Sequence, residues 1–187
     1  MSSNAREAIL AVARKTAQSH GYSGLNFRDL ATAVGIKSAS IYYHFPSKAV
    51  LGAAVARRYW EDTSVELDAM LAESTDPLSC LQWYPSLFRR SLEAENRLCL
   101  CSFMAAEYED LPLEVKNEVQ VFANINMAWL ANVLFAAGLG DFAACEERAR
   151  AIFAAIAGAQ LIARSRTDIA LFDSLVDSYR KAGLLPA

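Results

Sequence analysis

Between residues 37 and 48 the chain reads KSASIYYHFPSK. Lys37, Ser38, Ala39, Ser40, Tyr42, Tyr43, His44 and Lys48 form a small, polar and aromatic set with no carboxylate. The polar members of this set can donate hydrogen bonds to phosphate oxygens and base edges, whereas an acid at these positions would face phosphates. The same aromatic cluster can also be plain packing at a domain boundary. Phe45 is read that way, because Ile41 and Phe45 lie four apart and point inward together. Charge supports the first reading for the others. Residues 1–60 hold eight Lys/Arg and two acids, a net +6, and residues 61–187 hold 10 basic and 19 acidic side chains, a net −9. Only the first third is suited to a polyanion.

Other chemistry finds little support. Gly138-Leu139-Gly140-Asp141-Phe142-Ala143 formally matches the dinucleotide fingerprint GxGxxA, but that motif needs a preceding strand. What precedes it is helical in composition, so the glycines read as a helix end and Asp141 as the next cap. No GxSxG, P-loop, HExxH or CxxC occurs, and the two histidines, His20 and His44, build no general-base constellation. No catalytic residue, no metal site and no cofactor is expected, and the chain is not read as an enzyme. The four cysteines (Cys80, Cys99, Cys101, Cys145) show no disulfide framework and are expected to be reduced. The N-terminus MSSNAREAIL has no apolar core before a cleavage site, so a cytoplasmic location is expected. The uncharged run 119–140 has the length of a membrane span. Its Gln120, Asn124, Asn126 and Asn132 would be costly in lipid, which favours a buried helix and no membrane partner.

The elements that position the polar set are helices. Apolar content is 54%, with only 8 Gly and 5 Pro, and no strand pattern or repeat appears. The expected helices cover about residues 4–19, 27–34, 38–44, 48–73, 77–94, 97–107, 113–137, 141–164 and 168–181. Asn26, Ser47, Asp76 and Asp141 are the expected caps, with Pro77 at a first helical position. Phe27, Leu30, Ala31 and Val34 follow the i, i+3, i+4, i+7 pattern, and Gly35 breaks the chain before the third helix. Two short helices around a glycine turn make a helix-turn-helix, whose second helix enters the major groove. The fold class is therefore all-α with about nine helices. A three-helix DNA-binding domain spans 1–47, and a larger helical domain spans 48–187, with a connector helix at about 48–73.

Over residues 6–55 the sequence resembles the TetR/AcrR family of bacterial transcriptional repressors. The resemblance rests on Gly21-Tyr22, Asp29-Leu30-Ala31, Val34-Gly35-Ile36, Tyr42-Tyr43-His44-Phe45, Lys48 and Leu51 at the family's spacing. It implies that Tyr42, Tyr43, His44 and Lys48 contact DNA backbone or bases, while Asn26 and Arg28 anchor the second helix. Asn26 stands where the family usually has Thr, Lys37 where it often has Ser, and Ala39 where Gly is common. Lys37 cannot cap the third helix, which assigns that role to Ser38 and frees Lys37 for a phosphate or guanine.

The resemblance further implies a ligand-responsive repressor that binds palindromic double-stranded DNA as a homodimer and is released by a small-molecule inducer. In this architecture the middle helices surround an inducer cavity. Trp83, Tyr84, Cys99, Phe103, Met104, Tyr108, Phe122, Asn126 and Trp129 are candidates to line it, though aromatic stripes are more often core. The small-residue run 151–159 and the stripe 169–179 would build a four-helix dimer interface. Phe153, Ala157, Leu161, Phe172, Leu175, Val176 and Tyr179 are its candidates, unless the stripe simply closes the monomer core. The runner-up signal is thiol modification: Arg97 and a helix start at 97 would activate Cys99 or Cys101 toward an electrophile or oxidant. Two helical residues two apart point nearly opposite ways, so the pair is badly placed to bridge. Inducer identity, operator sequence, regulated genes and the choice between the two cysteines are not encoded in these patterns.

Overall fold

The computed structural model describes residues 2–74 and 76–186, so the outer bounds of the two expected domains, Met1 and Ala187, lie outside the described residues. In chain order the helices are α1 (Ser2–His20), α2 (Phe27–Val34), α3 (Ser38–His44), α4 (Lys48–Glu73), α5 (Pro77–Trp83), α6 (Pro85–Glu93), α7 (Leu100–Ala106), α8 (Leu113–Ala136), α9 (Phe142–Arg166) and α10 (Ile169–Lys181). A 3-10 turn occupies Tyr108–Asp110, and no strand occurs among the described residues. The chain is all-α, as the periodicity predicts.

The expected caps form. Asp76 accepts from Leu78 N–H at 3.0 Å and Ser79 N–H at 3.2 Å, and Ala144 N–H donates to Asp141 at 2.8 Å. Bonds from the Ser79 hydroxyl and the Leu78 amide hold the Asp76 carboxyl below the usual carboxylate range. Gly138 ends α8 with φ +69°, so the glycine motif is a helix end followed by a cap, as expected.

Two boundaries differ from the sequence reading. The helix expected over 77–94 is two helices that meet at Tyr84, because Pro85 lacks the N–H that would continue the ladder. The helix expected to open at Arg97 begins at Leu100. Glu95 and Asn96 adopt left-handed backbone at φ 64° and 54°, and Cys99 N–H donates to the Gln160 side chain at 2.9 Å instead of starting a helix. Cys99 therefore precedes the first residue of α7, with its amide held by α9.

The chain forms two compact units, each with its own core: residues 1–62 with 100–122, and residues 63–99 with 123–187. The functional division expected at residue 48 does not coincide with them. In the first unit Ile9, Ala13 and Ala17 of α1 are buried with Leu30, Ile41, Phe45 and Leu51. Here α4 and α8 share a polar lock: Glu118 of α8 accepts from Arg57 Nε at 3.0 Å and from Trp60 Nε1 at 2.8 Å. In the second unit α6 and α10 pack on α9, burying Phe88, Leu92, Ile152, Ile156, Phe172 and Val176. Arg89 clamps Asp173 of α10 with Nε and Nη2 at 2.8 and 3.0 Å. By length and composition α8 could cross a membrane, with 44% of its apolar window buried inside the chain.

Candidate nucleic-acid interface and sensor cluster

The polar set of the sequence is carried by a seven-residue helix, α3, that its neighbours hold in place. Ile41 and Phe45 are fully buried, as their spacing predicts, and Arg6 lies 5.4 Å from the Phe45 ring centroid. Tyr42 meets Phe27 of α2 edge-on at 4.7 Å, which ties α3 to α2. Asn26 caps α2 by accepting from Arg28 N–H at 2.8 Å and Asp29 N–H at 3.3 Å. Gly35 then turns the chain at φ 77° and donates to the Ala31 and Thr32 carbonyls. A side chain would be strained in this conformation.

What the packing leaves outward is polar and aromatic. Tyr43 is 80% exposed and Tyr42 57% exposed, with Lys37 and Ala39 exposed and Ser38, Ser40 and His44 half-buried. An open groove of about 780 Å³ is lined by Asn26, Arg28, Ser38, Tyr42 and Lys48. Lys48 is committed inside the chain: its Nζ donates to the Ser23 carbonyl at 2.9 Å and lies 4.7 Å from the Tyr22 ring. The cap of α3 corrects one expectation. Lys37, in extended backbone, is the cap residue with no side-chain bond, and Ser38 is the first helical residue.

The candidate pocket residues divide between the units. In the second, Tyr84 is fully buried, stacks on Trp129 at 5.7 Å and donates its hydroxyl to Asn126 Oδ1 at 2.9 Å. Burial, with Cys99 nearby, pushes the Tyr84 phenol well above its ordinary range. Trp129 Nε1 donates to the Leu67 carbonyl at 3.1 Å, and the buried Gln160 links Cys99 N–H to the Phe88 carbonyl. Trp83 is 45% exposed under the Arg90 guanidinium. In the first unit Phe122 packs on Tyr59, Met104 is buried, Phe103 is half-buried and Tyr108 lies exposed under Lys116. Cys99 and Cys101 are both buried. Of the candidate interface residues, Leu161 is exposed, while Phe153, Ala157, Leu175 and Tyr179 are half-buried. Phe172 and Val176 are buried by their own chain, which corrects their assignment to a partner-facing stripe. Sequence reasoning missed Glu107, Glu118 and Gln160, whose partners are 58 to 85 residues away.

The profile of bacterial regulatory proteins of the tetR family matches residues 9–55. A TetR transcriptional regulator from Legionella pneumophila is 30% identical, with 94% of this chain and 95% of that one covered at a TM-score of 0.89. The chain belongs to the TetR family. A TetR-family regulator from Agrobacterium tumefaciens is 26% identical over 97% of this chain and 98% of its own, at a TM-score of 0.90. Reduced NemR from E. coli shares the TetR fold at 19% identity over 95% of this chain and 96% of its own, at a TM-score of 0.83. No curated protein matches in sequence. The helix-turn-helix described above is thus the TetR-family N-terminal domain, and the protein has the fold of a TetR-family transcriptional regulator.

Proposed function

We propose that the protein is a ligand-responsive repressor that binds palindromic operator DNA as a homodimer and is released by a small-molecule inducer. The observation that carries this reading is Tyr43. A phenol 80% exposed on a short helix, whose other face is pinned by buried Ile41 and Phe45, is held outward where a partner's backbone can meet it. The groove donors Asn26, Arg28, Ser38 and Lys48 beside it suit a phosphate backbone, and Lys37, Ala39, Ser40, Tyr42 and His44 suit base edges or sugar. The dimer surface is assigned to the outer faces of α9 and α10. Leu161 and Ile162 are exposed there, and a Cβ on Gly158 would meet open space. The inducer is assigned to the buried Tyr84–Asn126–Trp129 cluster, whose stacked rings and single amide suit a reversible, largely apolar or aromatic ligand that displaces part of that packing. Burial of Cys99 and Cys101 speaks against a thiol as the primary signal. The repressor acts where DNA is, in the cytoplasm.

Selection of bound sequences from random duplex DNA tests the reading. The expected result is a palindrome with half-sites about one helical turn apart. Enrichment of no sequence over the input pool would refute it. Small-metabolite pools added to the selected complex should then release the DNA.

A further inference from the structure

The turn that joins α1 to α2 is held by a carboxylate from far along the chain. Glu107 follows the last residue of α7; it accepts the Tyr22 N–H at 2.5 Å through Oε2 and the Ser23 N–H at 3.1 Å through Oε1. Successive backbone N–H groups next to a left-handed residue form a concave donor pair that selects an anion. Gly21 supplies that residue at φ +69°, and a Cβ there would lie 2.1 Å from Glu107 Oε2. Only glycine both adopts the conformation and lets the carboxylate approach. From the other side, Lys48 of α4 holds the Ser23 carbonyl, and Gly52 leaves room for the buried Tyr22 ring. Three residues after Ser23, Asn26 caps α2. The turn that leads from α1 into α2 is therefore gripped from both sides.

We infer that Glu107 is the positioning residue of the DNA-reading helices, its carboxylate fixing the turn at Tyr22 and Ser23 and through it the setting of α2 and α3. The inference rests on the DNA-binding reading above. Hydrogen bonds to an ionised acceptor are the strong ones, and a glutamine would replace one of the two acceptor oxygens with a donor group facing N–H. Because Glu107 directly follows α7, a shift of that helix would carry this carboxylate, and with it the turn.

Operator affinity of the full chain, measured for the parent, Glu107→Gln and Glu107→Ala, tests the assignment together with formate rescue and hydrogen exchange of the Tyr22 and Ser23 amides without DNA. The alanine variant should bind the selected operator about tenfold more weakly, and glutamine should fall between. Sodium formate, against sodium chloride at equal ionic strength, should restore most of the alanine variant's affinity by refilling the donor pair, and leave the parent unchanged. Parental affinity in Glu107→Ala would overturn the inference, and so would a loss that formate repairs no better than chloride. A parent that selects no operator would remove the DNA-reading role itself. In that event, faster amide exchange at Tyr22 and Ser23 in Glu107→Ala would still show that the carboxylate anchors the turn.

Discussion

Tyr43 and Lys48 differ in what their loss should do, although the sequence groups them. Tyr43 is 80% exposed, with the His44 ring edge-on at 5.1 Å, so its truncation removes little buried surface from the folded chain. Tyr43→Ala should weaken operator binding about tenfold while leaving stability within about 0.5 kcal/mol, read by gel shift and thermal melting. Lys48 also ties Ser23 and Tyr22 to α4. Lys48→Ala should therefore lower both stability and affinity, and the salt slope of affinity should fall by about one if a remaining donor of the ammonium meets a phosphate. An unchanged slope would confine Lys48 to the internal role. In the second unit, Tyr84→Phe deletes the hydroxyl that Asn126 accepts inside a buried cluster. Chemical denaturation should show a loss of about 1–2 kcal/mol.

At the scale of elements, the lock between α4 and α8 gives a pH signature. Burial alone would raise the Glu118 carboxyl. The hydrogen bonds from Arg57 and Trp60 and the Arg57 charge outweigh it, so the folded pKa lies below the ordinary value of 4.5. A depressed carboxylate adds stability that is fully present above the unfolded pKa and is lost as pH falls through the folded one. Urea unfolding of the parent should weaken as pH is lowered below about 4.5, and Glu118→Gln should be less stable at neutral pH with a shallower acid slope. An identical acid slope in both proteins would discount the lock. What was readable in the sequence divides at this scale along local and distant lines. The Asn26, Asp76 and Asp141 caps and the Gly35 turn depend on neighbours two to four residues away, and they form as expected. Pro85 was visible, but its interruption was masked by continuous helical composition on both sides. Nothing local marks 97–99 as outside a helix, because the competitor for the Cys99 amide is Gln160 of α9. Nothing near them in sequence marks Glu107 and Glu118 as partners of Tyr22 and Trp60.

For the whole molecule, the amphipathic stripe of α10 posed a question that periodicity cannot answer, since a core and a partner demand the same apolar face. The fold separates the two. Phe172 is 1% exposed and Leu161 of α9 is 56% exposed. Leu161→Asp with Ile162→Asp should give a folded monomer of 20.5 kDa by sedimentation, against twice that mass for the parent, and should abolish tight operator binding. Phe172→Ala should instead cost about 3–5 kcal/mol of unfolding free energy without changing the mass at native conditions. A parent that sediments as one chain at micromolar concentration would overturn the dimer assignment.

The three tryptophans sit in three unlike places, and this makes the protein its own optical reporter. Trp83 is 45% exposed, so its emission belongs to wet indole. Trp129 is buried against Tyr84 with its N–H on a carbonyl, so it should emit further to the blue and lose intensity when an aromatic compound displaces that stack. Trp60 donates to the Glu118 carboxylate, and its quantum yield should change as that group takes up a proton. Single-tryptophan versions would thus follow inducer, acid and the solvent-facing edge of α5 through separate colours, with no dye attached.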